Sequence, residues 1–114
     1  MSIEIVRTKS FDTAAKSLAK RYRSFKDDYA IFIESLQSNP HQGAELSPGV
    51  RKVRMTIRAK GRGKSGGARV ITYNALISEY EGKIYLLYIY DKSEASNVRP
   101  EAIGEMLRAL GLNQ

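Results

Sequence analysis

Cysteine is absent from this 114-residue chain, which removes disulfides and thiolate chemistry and is compatible with a reducing compartment. Tryptophan is absent too, and histidine occurs once, as His41. A multi-histidine metal site and a two-histidine ribonuclease are excluded by that count, so neither a metal nor another cofactor is expected. No apolar run approaches the roughly 20 residues that span a bilayer. The segment from Met1 to Lys9 alternates and carries charge where a signal peptide would be apolar, so it reads as part of the fold, with no membrane partner and a cytoplasmic location expected. Acidic residues are also missing over a long stretch, with none between Leu46 and Ser78.

What is present is positive charge. Nineteen Lys and Arg against twelve Asp and Glu leave a net charge of +7, with an isoelectric point near 9.8. Such a balance favours polyanions, nucleic acid first among them, through steering and counterion release. At 12.8 kDa the chain is expected to form a single domain over residues 1–114. A domain of this size buries about two-thirds of its unfolded surface, which places function on a surface or shallow groove.

Ile3, Ile5 and Val6 suggest a short first strand. Ser10 or Asp12 can cap a helix whose apolar positions Phe11, Ala14, Ala15, Leu18 and Tyr22 recur at helical spacing, with Lys16, Lys20, Arg21 and Arg23 on its other face. A second helix is expected from Asp27 or Asp28 to about Ser38, stopped by Asn39-Pro40, and a loop is expected from there to Pro48-Gly49. From Val50 to Ala59 the residues alternate, with Lys52, Arg54, Thr56 and Arg58 on one parity and Val53, Met55 and Ile57 on the other. A strand sends these sets to opposite faces, one core and one cationic. A glycine-rich hairpin loop, Lys60 to Gly67, leads to a strand holding Arg69, Ile71 and Tyr73 on one parity. A turn is expected at Glu81-Gly82-Lys83. Ile84 to Tyr90 is apolar or aromatic on both parities, the pattern of a central strand covered on both faces. A last helix takes Pro100 in its first turn, Ile103, Met106, Leu107 and Leu110 as its stripe, and Gly111 as its stop. The expected fold is α+β in the order β-α-α-β-β-β-α: a curved, mostly antiparallel four-stranded sheet, two N-terminal helices on one face and a C-terminal helix.

Eight cations, Arg51, Lys52, Arg54, Arg58, Lys60, Arg62, Lys64 and Arg69, crowd the acid-free stretch. Charge of one sign repels itself, and a fold tolerates such clustering most readily where an anionic partner supplies the missing charge. Gly63-Lys64-Ser65 matches the end of a P-loop, but Arg58 stands where that motif needs glycine and strand residues follow where a helix must, which argues against nucleotide triphosphate binding. Tyr88 and Tyr90 share a parity and Tyr73 lies on the neighbouring strand, each able to stack on a base or donate a proton. His41, isolated in a loop beside Pro40, reads as exposed.

The element order, the strand Lys52-Val53-Arg54-Met55, the strand opening Gly66-Gly67-Ala68-Arg69-Val70-Ile71 and the strand end Tyr90-Asp91-Lys92-Ser93-Glu94 together resemble the RelE/ParE toxin superfamily, and the glycine-lysine hairpin is similar to its HigB branch. The resemblance implies the toxin of a type II toxin-antitoxin system, a ribosome-dependent mRNA endoribonuclease that enters the 30S A site, blocks translation and arrests growth. It implies a cognate antitoxin, a HigA-like helix-turn-helix protein, and operator DNA as a partner of the pair. It places the family's working cations on Lys52, Arg54 and Arg69, and its strand-end cation on Lys92 or, displaced by one place, on Ser93. The family's tyrosine near the last helix has no counterpart after Tyr90, so either Tyr90 or Tyr73 stands in for it or that function is absent. Arg58, Lys60, Arg62, Lys64 and Tyr73 are the expected RNA-binding residues.

RNA cleavage by its own 2'-OH needs a proton removed, a proton delivered and the phosphorane charge stabilised. Arginine serves the last role only, which suits Arg54 and Arg69. A lysine crowded by like charges gives up its proton more readily than in water, making Lys52 and Lys92 the candidate bases and Tyr90 the candidate acid or stacking platform. Three other readings stay open: a ParE-like gyrase inhibitor on the same fold, an RNA- or ribosome-binding module without catalysis, and an inactive relative that retains only antitoxin binding.

Overall fold

The computed structural model describes residues 2–61, 67–78 and 80–112. Among these residues it is an α+β fold with five strands and three helices: β1 (Ile3–Arg7), α1 (Lys9–Arg21), α2 (Phe25–Ser38), β2 (Ala44–Ser47), β3 (Val50–Met55), β4 (Ala68–Ser78), β5 (Glu81–Asp91) and α3 (Pro100–Ala109), with one 3-10 turn at Arg58–Lys60. The strands form one sheet in the order β1-β5-β4-β3-β2. β1 runs parallel to β5, and the remaining pairs are antiparallel. The sheet is therefore mixed and five-stranded, where four mostly antiparallel strands were expected. The added strand is β2, in the segment expected to be a loop; its four residues are all exposed and carry no apolar alternation that could announce a strand.

β5 lies between β1 and β4, and its apolar residues on both parities are used on both faces of the sheet. Ile84, Leu86 and Ile89 join Val53, Met55, Ile57 and Val70 beneath α1 and α2, which contribute Phe11, Leu18, Phe25, Phe32 and Leu36. On the other face Leu87 and Tyr90 pack with Val50, Ile71 and the α3 residues Ile103 and Leu107. The two N-terminal helices and the C-terminal helix thus cover opposite faces, and burial of these apolar side chains is the main favourable term in folding.

Pairing of β4 with β5 shifts register between Ile71 and Thr72, which face Tyr88 and Leu86. The extra β5 residue, Leu87, is a β-bulge, and it puts Leu87 and Tyr88 on the same face. A bulge leaves backbone groups without ladder partners. Here the Ser10 hydroxyl donates to the Leu87 carbonyl (2.7 Å), and the Thr8 hydroxyl adds a second bond (2.8 Å) to the Leu86 carbonyl, which also accepts from the Thr8 amide (3.2 Å). The Thr8 oxygen also accepts from the Phe11 amide (3.2 Å), so Thr8, and neither Ser10 nor Asp12, is the N-cap of α1. One side chain starts the helix and ties it to the central strand.

α2 begins at Phe25, ahead of the expected Asp27 or Asp28. The turn expected at Glu81-Gly82-Lys83 falls earlier, because Glu81 already pairs with Ser78 in the β4-β5 ladder. β3 ends at Met55, short of the expected Ala59. Beyond it the Asp28 carboxylate accepts from the Arg58 amide (3.1 Å) and from the Arg58 guanidinium (2.9 Å), turning the chain toward α2. No helix is long and apolar enough to cross a membrane among the described residues.

A cationic groove as candidate functional site

Side chains directly opposite each other in adjacent strands share a face of the sheet. Arg54 pairs with Arg69, which pairs with Tyr90; two residues along, Lys52 pairs with Ile71, which pairs with Tyr88. Lys52, Arg54, Arg69, Tyr88 and Tyr90 therefore stand on one face, the face that α3 covers farther along the sheet. Strict alternation in β3 produces this arrangement, since Val53 and Met55 between the cations are each 1% exposed in the opposite core.

Lys52, Arg54 and Arg69 line one open groove of about 370 Å³ with Gln42, Gly43, Ala44 and Val53. The loop before β2 forms its wall, and Gly43 is what lets that loop approach. Gly43 has φ +88°, and a Cβ there would strike the Lys52 carbonyl oxygen. Arg51 fastens the same loop from the side by donating to the carbonyls of Gln42 (2.9 Å) and Gly43 (2.8 Å).

Two like charges set directly opposite each other in a ladder are destabilising. Among the described residues no ion pair engages Lys52, Arg54 or Arg69. The Arg69 guanidinium meets only the carbonyl of its neighbour Ala68, at 3.1 Å. The Arg54-Arg69 pairing is thus a local cost that an anion lying across both guanidiniums would relieve.

Aromatic rings extend the face. Tyr88 and Tyr90 have ring centroids 6.4 Å apart with planes at 30°, and Tyr73 and Tyr85 have centroids 6.4 Å apart. Tyr90 is nearly buried, at 6% exposure, and its hydroxyl donates to the Ser96 carbonyl (3.2 Å), holding the segment after β5. Burial raises the Tyr90 phenol above its ordinary value, and the nearby Arg69 charge only partly opposes this, so Tyr90 is a neutral hydrogen-bond donor near neutral pH.

Other expected residues lie elsewhere. Arg58 is expected beside Lys52 and Arg54, but it sits in the 3-10 turn, paired with Asp28. Lys60 is expected in an open loop, yet its side chain is only 9% exposed and its ammonium pairs with Asp91 at 2.6 Å. Both cations serve the fold on the helical side of the sheet. Arg62 and Lys64 lie outside the described residues. Tyr73 shares the groove's face but stands beyond Ile71, farther along β4 from Arg69. Lys92 opens the turn after β5, its amide donating to the Gly67 carbonyl (3.1 Å). Ser93 spends its amide and hydroxyl on Asp91 (2.9 and 2.7 Å). His41 is exposed, as expected.

Asp91 is the residue that local pattern reading misses. Its side chain is fully buried and gathers Lys60, Arg21, the Tyr22 hydroxyl, and the amide and hydroxyl of Ser93. Burial alone would raise this carboxyl, but the hydrogen bonds from Lys60, Tyr22 and Ser93 outweigh it and hold Asp91 well below the usual carboxylate range. Lys60 also reaches the Gly67 carbonyl (3.3 Å), so the hub ties the 3-10 turn to the residue that precedes β4, the strand that carries Arg69. A lone acid closing a strand that is apolar on both parities is the available signal for such a residue.

The chain matches no protein-family model.

Proposed function

We propose that the groove holds single-stranded RNA by its phosphates, and that the protein is a ribosome-dependent mRNA endoribonuclease of the RelE/ParE type, similar to the HigB branch, acting as the toxin of a toxin-antitoxin pair. The observation that carries this reading is the unpaired cation set, Arg54 opposite Arg69 with Lys52 beside them, on a sheet face flanked by tyrosines. Phosphate is the ligand that planar guanidiniums grip bidentately, and unpaired bases stack on aromatic rings. Of the two motifs that carry the family resemblance, the first contributes Arg69 to the groove and the second places Tyr90 opposite Arg69 in the ladder.

In the proposed reaction the 2'-oxygen attacks the adjacent phosphorus, the 5'-oxygen of the next nucleotide leaves, and a 2',3'-cyclic phosphate remains. Arg54 and Arg69 stabilise the extra charge on the phosphorane. Lys52, the lysine that lines the groove, takes the 2'-OH proton, and the leaving oxygen gains one from Tyr90 or from the ribosome. With no histidine among the residues that line the groove, the free protein is a weak nuclease, and ribosome binding supplies the alignment. An antitoxin that covers the groove or α3 would silence it.

One feature favours a second reading, an RNA- or ribosome-binding module without catalysis. The Tyr90 hydroxyl is already spent on Ser96, and burial holds its proton. Inducible expression in bacteria with mapping of mRNA 5' ends distinguishes these readings. The nuclease gives new ends within translated codons and growth arrest, and Arg69→Ala abolishes both while the protein stays folded and antitoxin-bound. A binding module gives no new ends, and its effect fades gradually as cations are removed. A ParE-like gyrase inhibitor gives DNA damage without codon-linked cuts.

A further inference from the structure

A second cationic surface lies on the other side of the sheet, on the solvent face of α1. Lys9, Thr13, Lys16, Ser17 and Lys20 are all exposed and fall on one side of the helix, opposite the buried Phe11 and Leu18. Thr13, Lys16, Ser17, Lys20 and Arg21 line a shallow depression of about 490 Å³. Its lining holds no carboxylate and no large apolar side chain. The single acid within α1, Asp12, stands at the edge of this row, four residues before Lys16, but its carboxylate is paired with Arg7 at 3.5 Å and makes no ion pair with a lysine of the row. Arg21 spends its guanidinium on Asp91 and Glu94, leaving the three lysines without an ion pair among the described residues.

Helix stability does not account for the row. Cations in the last turn complement the helix dipole, which covers Lys20 and Arg21. Lys9 sits at the opposite end, where the dipole disfavours a positive charge, and Lys16 lies one turn from Lys20 with like charge, a spacing that costs rather than gains. Solvated helical faces ordinarily mix the two signs.

We infer that this face of α1 docks on the backbone of double-helical RNA. A helix repeats side chains at a rise of about 1.5 Å per residue, so Lys9, Lys16 and Lys20 form a rigid row roughly 16 Å long. A rigid row suits a partner whose phosphates are equally fixed. Thr13 and Ser17 interleave hydroxyls that can meet phosphate oxygens and the 2'-OH groups displayed in the shallow A-form groove. The face lacks the exposed aromatic rings that would hold unpaired bases, since Phe11 is buried and Tyr22 half-buried. The tyrosine-flanked groove and the lysine row thus divide two RNA forms between opposite faces of one sheet. The inference stands whether or not the groove cleaves RNA.

The test is fluorescence anisotropy with the full-length protein and a labelled RNA duplex of roughly 20 base pairs, titrated over a range of salt. Lys16→Glu with Lys20→Glu is expected to weaken duplex binding about tenfold or more and to lower the salt slope by about 2, with Lys16→Gln and Lys20→Gln showing a smaller loss in the same direction. Both pairs change exposed positions, and an unchanged melting curve establishes that the fold is intact. Binding of a single strand of the same length is expected to change far less. Unaltered duplex affinity in both pairs overturns the inference. So does competition by polyglutamate as strong as that by unlabelled duplex, which points to an acidic protein, or equal competition by a DNA duplex, which removes the preference for RNA.

Discussion

Replacing Asp91 by Asn keeps the size of the side chain and removes its charge. Asp91 is fully buried and faces Lys60, itself only 9% exposed, at 2.6 Å. The substitution leaves an ammonium with little water and no counterion, and it sets an amide among donors from Arg21, Tyr22 and Ser93. Breaking one side of a buried pair in this way costs about 3–5 kcal/mol. For a domain of this size that lowers the melting temperature by roughly 10–20 °C, a large share of a typical total stability. Thermal unfolding followed by circular dichroism reads it directly, and Lys60→Met added to Asp91→Asn should recover part of the loss by removing the orphaned charge. The pH dependence has a definite sign. The folded carboxyl titrates below its unfolded value, so its contribution is fully present above the ordinary carboxylate range and is lost as pH falls below about 4. The gap between wild type and Asp91→Asn must therefore narrow on acidification. A loss under about 1 kcal/mol at neutral pH, or a gap independent of pH, would refute the view of Asp91 as the hub that ties Lys60 to the end of β5.

Thr8→Val removes both the cap of α1 and a hydroxyl bonded to the Leu86 carbonyl of β5, and it is expected to cost about 1–2 kcal/mol in chemical denaturation. Gly67→Ala drives a methyl group toward the Met55 carbonyl and is expected to destabilise by about 1–3 kcal/mol, read from the denaturation midpoint. Arg54→Ala relieves the repulsion across the β3-β4 ladder, so its melting temperature should match or slightly exceed that of wild type while growth arrest is lost. A clear fall in melting temperature for that variant would mean that Arg54 serves the fold.

Local periodicity makes much of this architecture legible. Alternation in β3 separates Val53 and Met55 from Lys52 and Arg54 without any structure, and apolar residues on both parities mark β5 as a central strand. Three things escape it, each because it depends on contacts distant in sequence. β2 exists because β3 offers it a partner, and Ala44 to Ser47 has no pattern of its own. The parallel pairing of β1 with β5 joins the first strand to the last, and no repeat in either records it. Alternation alone extends the cation row to Arg58 and leaves Lys60 in an open loop. Asp28 and Asp91 redirect both, and these carboxylates lie far away in the chain. The part of the site that alternation and pairing fix, Lys52, Arg54 and Arg69, is the part that sequence places correctly on one face.

The most direct measurement is cleavage of a defined mRNA on purified ribosomes with its codon in the A site. Wild-type protein is expected to cut within that codon, to leave the same RNA largely intact without ribosomes, and to lose cleavage when Arg54 and Arg69 are both replaced by Ala in a protein that melts normally. Cleavage that persists in the double variant, or no cleavage by wild type at any ribosome concentration, would contradict the assignment of the groove to mRNA.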